Sequence, residues 1–269
     1  MCAIAQPVEC RPTNMDLGLS GRVALVTGGS RGIGAATARL FGLEGARVAL
    51  SYCSNRDAAE SVADDIRRRG GEACVTRLDL RDADSIRGAA DAVTARWGGI
   101  DILVNNAVDF VSMPDAPLGA FEKASACDWQ SLLRTNIEGT YVAVQSAVPS
   151  MRSGGWGRIV NVSSVAATDG MPGFAWYGAA KAALHGLTRT LAKELGPAGV
   201  LVNCVMAGPT LTDRVVQHMP ASRLERLGRA LPIRRLPCPE DMATTIVFLC
   251  SAANRTITGE IVRASGGRP

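Results

Sequence analysis

Histidine is scarce in this chain. Its 269 residues include two, His185 and His218, and neither has a partner at metal-ligand spacing, so no metal site is expected. The eight cysteines (Cys2, Cys10, Cys53, Cys74, Cys127, Cys204, Cys238 and Cys250) contain no C-x-x-C pair. Several fall inside apolar runs, which reads as small buried hydrophobes in a reducing compartment, not as a disulfide framework. No stretch approaches the roughly 18 apolar residues a membrane helix needs. The opening MCAIAQPVECRPTNMDLGLS lacks the basic start and apolar core of a secretion signal. Residues 1–18 are therefore expected to be a flexible tail, and the protein cytoplasmic with no membrane partner. The net charge of +4 is carried almost wholly by arginines spread along the chain, which gives nucleic-acid binding no support. The run Arg67-Arg68-Arg69 before Gly70-Gly71 reads as a helix's last turn, where cations complement the dipole and glycine ends the helix.

What the chain does have is apolar content and alternation. With 47% hydrophobic residues it can bury a sizeable core, and a single domain over residues 19–269 suits this length. Strand-like runs at Arg22–Val26, Arg47–Tyr52, Ala73–Leu78, Ile100–Asn105, Gly157–Val162, Val200–Met206 and Glu260–Arg263 alternate with helix-like segments. The clearest of these are Asp57–Arg69, Ser85–Trp97, Trp129–Met151, Ala175–Leu195 and Pro239–Ser251. Strands connected only through helices pair in parallel. The expected fold class is α/β, a Rossmann-type doubly wound parallel sheet of about seven strands with helices on both faces.

Two constellations carry chemistry. The first is LVTGGSRGIGAATARLF at Leu25–Phe41, where a strand's carboxyl end meets a helix start, the place where such sheets hold ligands. Gly28 permits the sharp turn, Gly32 lets the backbone approach a pyrophosphate, and Gly34 lets helix and strand pack closely; the helix start offers N–H groups and a positive dipole. A dinucleotide is the expected ligand. The second pairs Tyr177 with Lys181, four apart on an Ala-rich helix and so on one face. A free phenol ionises near pH ~10, and a nearby ammonium is expected to lower that value toward the range useful for proton exchange with an alcohol or ketone.

These motifs, with others in order, resemble the short-chain dehydrogenase/reductase superfamily in its single-domain form. The matching residues are T-G-x-x-x-G-x-G at Thr27–Gly34, Asp79, Asn105-Asn106-Ala107, Asn136 in a long helix, Ser164 thirteen residues before Tyr177, and Gly208 to Thr212. The resemblance runs from Leu19 to Gly267. It implies a catalytic set of Asn136, Ser164, Tyr177 and Lys181. In that set the serine holds the substrate oxygen and the tyrosine moves its proton. The lysine also holds the nicotinamide ribose, while the asparagine kinks its helix and positions a relay water. Ser163, one position early, is not the expected serine. Cofactor contacts are implied for Gly28, Ser30, Arg31, Gly32, Ile33, Gly34, Asp79, Leu80, Asn106, Ala107, Gly208, Thr210 and Thr212, beside Tyr177 and Lys181. NAD-preferring members carry an acid at the end of the second strand. Here Ser51-Tyr52-Cys53-Ser54-Asn55-Arg56 has none before Asp57, while Arg31, Ser51, Asn55 and Arg56 offer donors. An arginine fork suits a phosphate dianion, so the expected cofactor is NADP(H).

NADPH pools favour reduction, so the implied activity is a carbonyl reductase acting on a small-molecule ketone. Oxidation of an alcohol and reduction of a β-ketoacyl carrier-protein substrate are the alternatives. A non-catalytic NADP-binding scaffold is disfavoured because all four catalytic positions are filled. Enoyl reductases of the superfamily space tyrosine and lysine more widely, and sugar epimerases differ in glycine spacing. Val108, Ala207 and Ala264-Ser265 depart from the usual residues and bear on pocket shape. The segment VAATDGMPGFAW brings Asp169, Met171, Phe174 and Trp176 near the tyrosine, which implies a roomy pocket with aromatic walls and one acid. Residues 210–236 are expected to cover the substrate, with Arg214, Arg223, Arg226, Arg229, Arg234 and Arg235 mostly on a solvated face. β-Ketoacyl-carrier-protein reductases place basic docking residues where this chain has Gly155 and Ala198. That directs the expectation to a bulky cyclic, aromatic or polyketide-like ketone. The two long helices carry apolar faces (Leu132, Leu133, Ile137, Tyr141, Val144 and Val148; Ala179, Ala183, Leu184, Leu187 and Leu191), for which a homotetramer is expected, with a dimer as fallback.

Overall fold

The computed structural model describes residues 16–109, 121–123 and 126–267. Seven parallel strands form one sheet: β1 (Val23–Val26), β2 (Arg47–Tyr52), β3 (Glu72–Arg77), β4 (Ile102–Asn105), β5 (Gly157–Ser164), β6 (Val200–Ala207) and β7 (Ile261–Ala264). Their order is β3-β2-β1-β4-β5-β6-β7. The chain thus begins at the centre, moves outward to β3, and crosses back to β4 before moving out the other way. The reversal between β1 and β4 leaves a crevice beyond their carboxyl ends. The helices are α1 (Gly32–Leu43), α2 (Arg56–Arg68), α3 (Ala83–Trp97), α4 (Ala126–Gly154), α5 (Ala166–Asp169), α6 (Ala175–Leu195), α7 (Asp213–His218), α8 (Ala221–Ala230) and α9 (Pro239–Cys250).

Strand alternation sorts the core into two layers. Ala24 and Val26 face one side, where Ala38 and Phe41 of α1, Val62 and Ile66 of α2, and Ile246 and Val247 of α9 cover them. Val23 and Leu25 face the other, packed with Ile86 and Val93 of α3, Ala147 and Met151 of α4, and Leu195 of α6. Both faces are covered, which is why the central strands read as unbroken apolar runs. Helix ends follow the polar residues beside them: Asn55 accepts the Ala58 N–H at 2.9 Å to cap α2, and Asp82 caps α3.

Several expected boundaries shift. Residues 1–15 of the expected tail lie outside the described residues, but Leu17 is anchored, its carbonyl accepting the Ala252 N–H at 2.8 Å. β5 runs on to Ser164 because Ser163 and Ser164 pair with Met206 and Ala207. Within the two long helices, Leu132, Val144, Leu184 and Leu187 are buried in their own chain. The outward stripe is narrower than expected, centred on Tyr141 (51% exposed) with Leu133, Ile137 and Val148 half-buried beside it. Among the described residues, no helix is long and apolar enough to cross a membrane.

Candidate active site

The glycine turn sits in the β1/β4 crevice. Gly28 (φ +65) and Gly32 (φ +55) adopt left-handed backbone that a side chain would strain. A Cβ on Gly34 would lie 2.3 Å from the Gly28 carbonyl oxygen, so α1 begins this close to the turn only because Gly34 has none. Thr27 braces the turn: its hydroxyl donates to Val104 O (3.1 Å) and accepts the N–H groups of Asn106 and Ala107 (3.0 Å each). Asn106 Nδ2 donates to the carbonyls of Thr27 (3.0 Å) and Gly28 (3.1 Å), and Ser51 Oγ accepts the Gly28 N–H (3.0 Å). Asn106 and Ser51, expected to meet the cofactor, therefore hold the turn; Ser51 is only 1% exposed.

This cradle fits a dinucleotide. Arg31 occupies the N-cap of α1 with extended backbone and no side-chain cap, so the first-turn N–H groups and the dipole of a 12-residue helix are left for an anion. Ser30, Arg31 and Gly32 line a cleft of about 320 Å³ with Ser61 and Val62 of α2, Asp213 and Glu240. Ile33 packs against the first core layer. At the far end of the crevice Asn55 is committed to capping α2 and Arg56 pairs with Glu60 at 3.6 Å. Asp79 follows β3, and Arg81 grips its carboxylate through Nε (2.9 Å) and Nη2 (2.8 Å). That pairing holds the Asp79 carboxyl down to about 2. Leu80 packs on the second core layer, and a Cβ on Gly139 of α4 would lie 2.8 Å from its carbonyl oxygen.

The catalytic candidates converge where β5 meets α6. Ser164 ends β5, and its hydroxyl is hydrogen-bonded to the Tyr177 phenol. It also accepts the Ala166 N–H at 3.2 Å. Lys181 Nζ donates to the Val162 carbonyl at 2.8 Å and lies 6.0 Å from the centroid of the Tyr177 ring. The expected lowering of the Tyr177 pKa by the ammonium is not what this arrangement produces. Burial pushes the phenol above its ordinary value, opposed by the Ser164 hydrogen bond and by the charge of Arg214. Burial also brings Lys181 down to about 8. Ser163, one position earlier, is buried on other business: its hydroxyl donates to Lys181 O at 2.9 Å and meets His185 Nε2 at 2.9 Å. Asn136 lies within a continuous α4, and its side chain ties that helix to the chain after β4. Oδ1 accepts the Asp109 N–H (3.1 Å), Nδ2 donates to Leu132 O (2.9 Å), and its own carbonyl accepts the Thr140 hydroxyl (2.9 Å).

The pocket walls differ from expectation. Phe174 packs edge-on with Trp176 and Trp176 edge-on with Tyr177; both sit against Leu132 and are 8% and 6% exposed, so they support the tyrosine from behind. Asp169 is gripped by Arg263 at 2.7 Å, which ties the segment after Ser164 to β7 and takes this acid out of the substrate role. Met171 is 42% exposed. In the covering segment, Thr210 is buried and its hydroxyl donates to Gly208 O at 3.0 Å, and Thr212 caps α7. A Cβ on Gly32 would lie 3.2 Å from Thr212 Cγ2, so the start of α7 closes over the glycine turn. A Cβ on Gly208 would sit 2.9 Å from Ser265 Cα, which explains the glycine there. Arg223 and Arg226 are exposed, Arg229 pairs with Glu225 at 3.3 Å, and Arg235 grips Asp241. That solvated face matches the charge pattern, except that Arg214 directs its charge at the tyrosine. The sequence did not single out Thr27, Arg81 or Arg214 by role: Thr27 and Arg214 act on groups remote in the chain, and Arg81, which grips Asp79 two residues away, reaches Cys53 only where β2 and β3 end together.

A sequence profile described as enoyl-(acyl carrier protein) reductase matches residues 28–268. The 3-oxoacyl-[acyl-carrier-protein] reductase FabG of Aquifex aeolicus is 37% identical over 254 residues, 94% of this chain and 99% of that protein. The FabG of Staphylococcus aureus is 33% identical over 244 residues, 91% of this chain and 96% of that one. A dehydrogenase/reductase from Sinorhizobium meliloti superposes with a TM-score of 0.83 at 35% identity, covering 94% of this chain and 96% of the other. A 7α-hydroxysteroid dehydrogenase, solved with NADH and 7-oxo glycochenodeoxycholic acid, gives 0.86 at 32% identity over 94% and 96% of the two chains. The FabG relatives favour the carrier-protein alternative over the cyclic-ketone expectation, which leaned on two surface positions, Gly155 and Ala198. With its glycine turn, its Ser164–Tyr177–Lys181 cluster and matches along nearly its whole length, the chain belongs to the short-chain dehydrogenase/reductase family, oxidoreductases acting on keto and hydroxyl groups.

Proposed function

We propose that this protein reduces the keto group of a 3-oxoacyl thioester, with NADPH as its cofactor. The observation that carries the reading is the convergence of Ser164 at the end of β5 with Tyr177 and Lys181 on α6, Lys181 Nζ lying 6.0 Å from the centroid of the Tyr177 ring. Tyr177 carries the proton that such a reduction must deliver to oxygen. The bound cofactor would supply a hydride to the carbonyl carbon. Ser164 orients the carbonyl oxygen, and Tyr177 gives that oxygen its phenolic proton. Lys181 is charged below pH about 8 and steadies the phenolate left behind, about 6.0 Å from its ring. The FabG relatives support the thioester class. A cyclic ketone is the second reading, favoured by the close superposition on the hydroxysteroid dehydrogenase.

NADP(H) rests on the missing acid after β2 and on Arg31. A homotetramer rests on the exposed stripe around Tyr141. The test is NADPH oxidation by purified protein with acetoacetyl groups on coenzyme A and on a carrier protein, set against cyclohexanone and a steroid ketone. Turnover is expected on the thioesters; turnover of the cyclic ketones alone overturns the substrate class.

A further inference from the structure

Arg81 occupies a position that the glycine turn and the catalytic cluster leave unexplained. It lies two residues beyond Asp79, where the chain leaves β3 at the carboxyl edge of the sheet. Its Nε and Nη2 are fixed by the two oxygens of Asp79 at 2.9 and 2.8 Å, and its own N–H donates to Asp79 Oδ1 at 3.0 Å. Nη2 also reaches Cys53 Sγ at 3.9 Å, across the ends of β3 and β2. Cys53 directly follows β2, the place where an acid would grip the 2′-hydroxyl of an adenosine ribose and where this chain has none. The Arg81 side chain is 52% exposed, and its Nη1 makes no hydrogen bond among the described residues.

Resting on the NADP(H) reading above, we infer that Arg81 is a second specificity-determining residue for the 2′-phosphate, working from the β3 side while Arg31 works from the glycine turn. The geometry supplies what such a residue needs. A long arginine side chain normally loses much rotamer freedom on gripping a ligand, but the Asp79 fork has already removed that freedom in the unliganded protein. The Asp79 carboxylate, held down to about 2, stays ionised at every working pH, so the clamp persists. The guanidinium reaches the end of β2 through Nη2 at Cys53, where a phosphate dianion replaces a hydroxyl, and planar N–H donors suit that dianion. Asn55 is committed to its helix cap, and Ser51 lies beneath the turn.

Calorimetric titration with 2′,5′-ADP and with 5′-AMP, which differ only by the 2′-phosphate, tests this without turnover. Arg81→Gln is expected to weaken 2′,5′-ADP binding by roughly tenfold or more, the range for a hydrogen bond to a charged group, and to leave 5′-AMP within about twofold. Arg81→Lys, which keeps the charge but not the fork, is expected to fall between. Equal weakening of both nucleotides, or weakening of neither, overturns the assignment. Wild-type protein that binds 5′-AMP as tightly as 2′,5′-ADP overturns the NADP(H) reading itself, and this inference with it. Circular dichroism separates either result from misfolding, and a misfolded Arg81→Gln leaves Arg81→Lys to decide.

Discussion

One substitution made at two places separates the packing argument from helix propensity. Gly34 lies in the first turn of α1 and Gly88 within α3; in a helix interior alanine is favoured over glycine by about 1 kcal/mol. Around Gly88 nothing lies within 4 Å of an added Cβ, so Gly88→Ala should stabilise by roughly 0.5–1 kcal/mol. At Gly34 the same Cβ would sit 2.3 Å from Gly28 O and 2.5 Å from Asn106 Nδ2. Neither neighbour yields easily, since Asn106 is bonded to the carbonyls of Thr27 and Gly28 and the Gly28 N–H to Ser51. Overpacking costs about 1–3 kcal/mol, and losing the Asn106 bond to Gly28 adds about 0.5–1.5 kcal/mol. The clash outweighs propensity, and Gly34→Ala should destabilise by roughly 1–3 kcal/mol, a fall of several degrees in Tm at about 2–4 °C per kcal/mol for a domain of this size. Thermal denaturation of both variants, with ADP titration alongside, is the assay. Nucleotide binding should weaken only in Gly34→Ala, because its turn must open. A Gly34→Ala protein that melts at or above wild type and binds ADP normally refutes the reasoning.

Four further outcomes follow from the site. Tyr177→Phe keeps the ring in its edge-on packing and removes the proton, so reduction should fall below about a tenth of wild type while NADPH still binds; retained turnover would sink the mechanism. Lys181 titrates near 8 in the folded chain against an ordinary 10.5, so between those values the unfolded chain holds the extra proton and wild-type stability rises with pH. Relative to Lys181→Met the gain should approach about 3 kcal/mol across that window, read as a pH-dependent gap in denaturation midpoints; a gap that stays flat counts against the burial argument. Arg31→Ala should weaken NADPH binding by roughly 1.5–3 kcal/mol with little effect on NADH, and equal losses would show that Arg31 does not read the phosphate. Light scattering of active protein should return a multiple of 28.1 kDa; a monomer mass at assay concentration rules out the assembly.

The sequence by itself determined what depends on neighbours along the chain. Alternating apolar runs and helical segments specified a seven-stranded parallel sheet, because strands joined only by helices have no other way to pair. Glycines at 28, 32 and 34 marked the cradle, since the turn is local and tolerates no Cβ. The spacing of Tyr177 and Lys181 placed them on one helical face whatever lay opposite. Tertiary structure decided the groups whose chemistry is set by burial and by partners far away in sequence. Ser51 and Asn106 look like exposed donors in the sequence, yet the crossing of β1, β2 and β4 places them beneath the turn. Asp169 reads as a pocket acid until β7 brings Arg263 to it, and Arg81 gains a role only because β2 and β3 end side by side. The direction of the Tyr177 shift belongs here too. A lysine one turn away predicts a lower pKa, but desolvation inside the folded chain outweighs a charge whose own hydrogen bond points at Val162. Desolvation is a property of everything packed around a group, which no local spacing encodes.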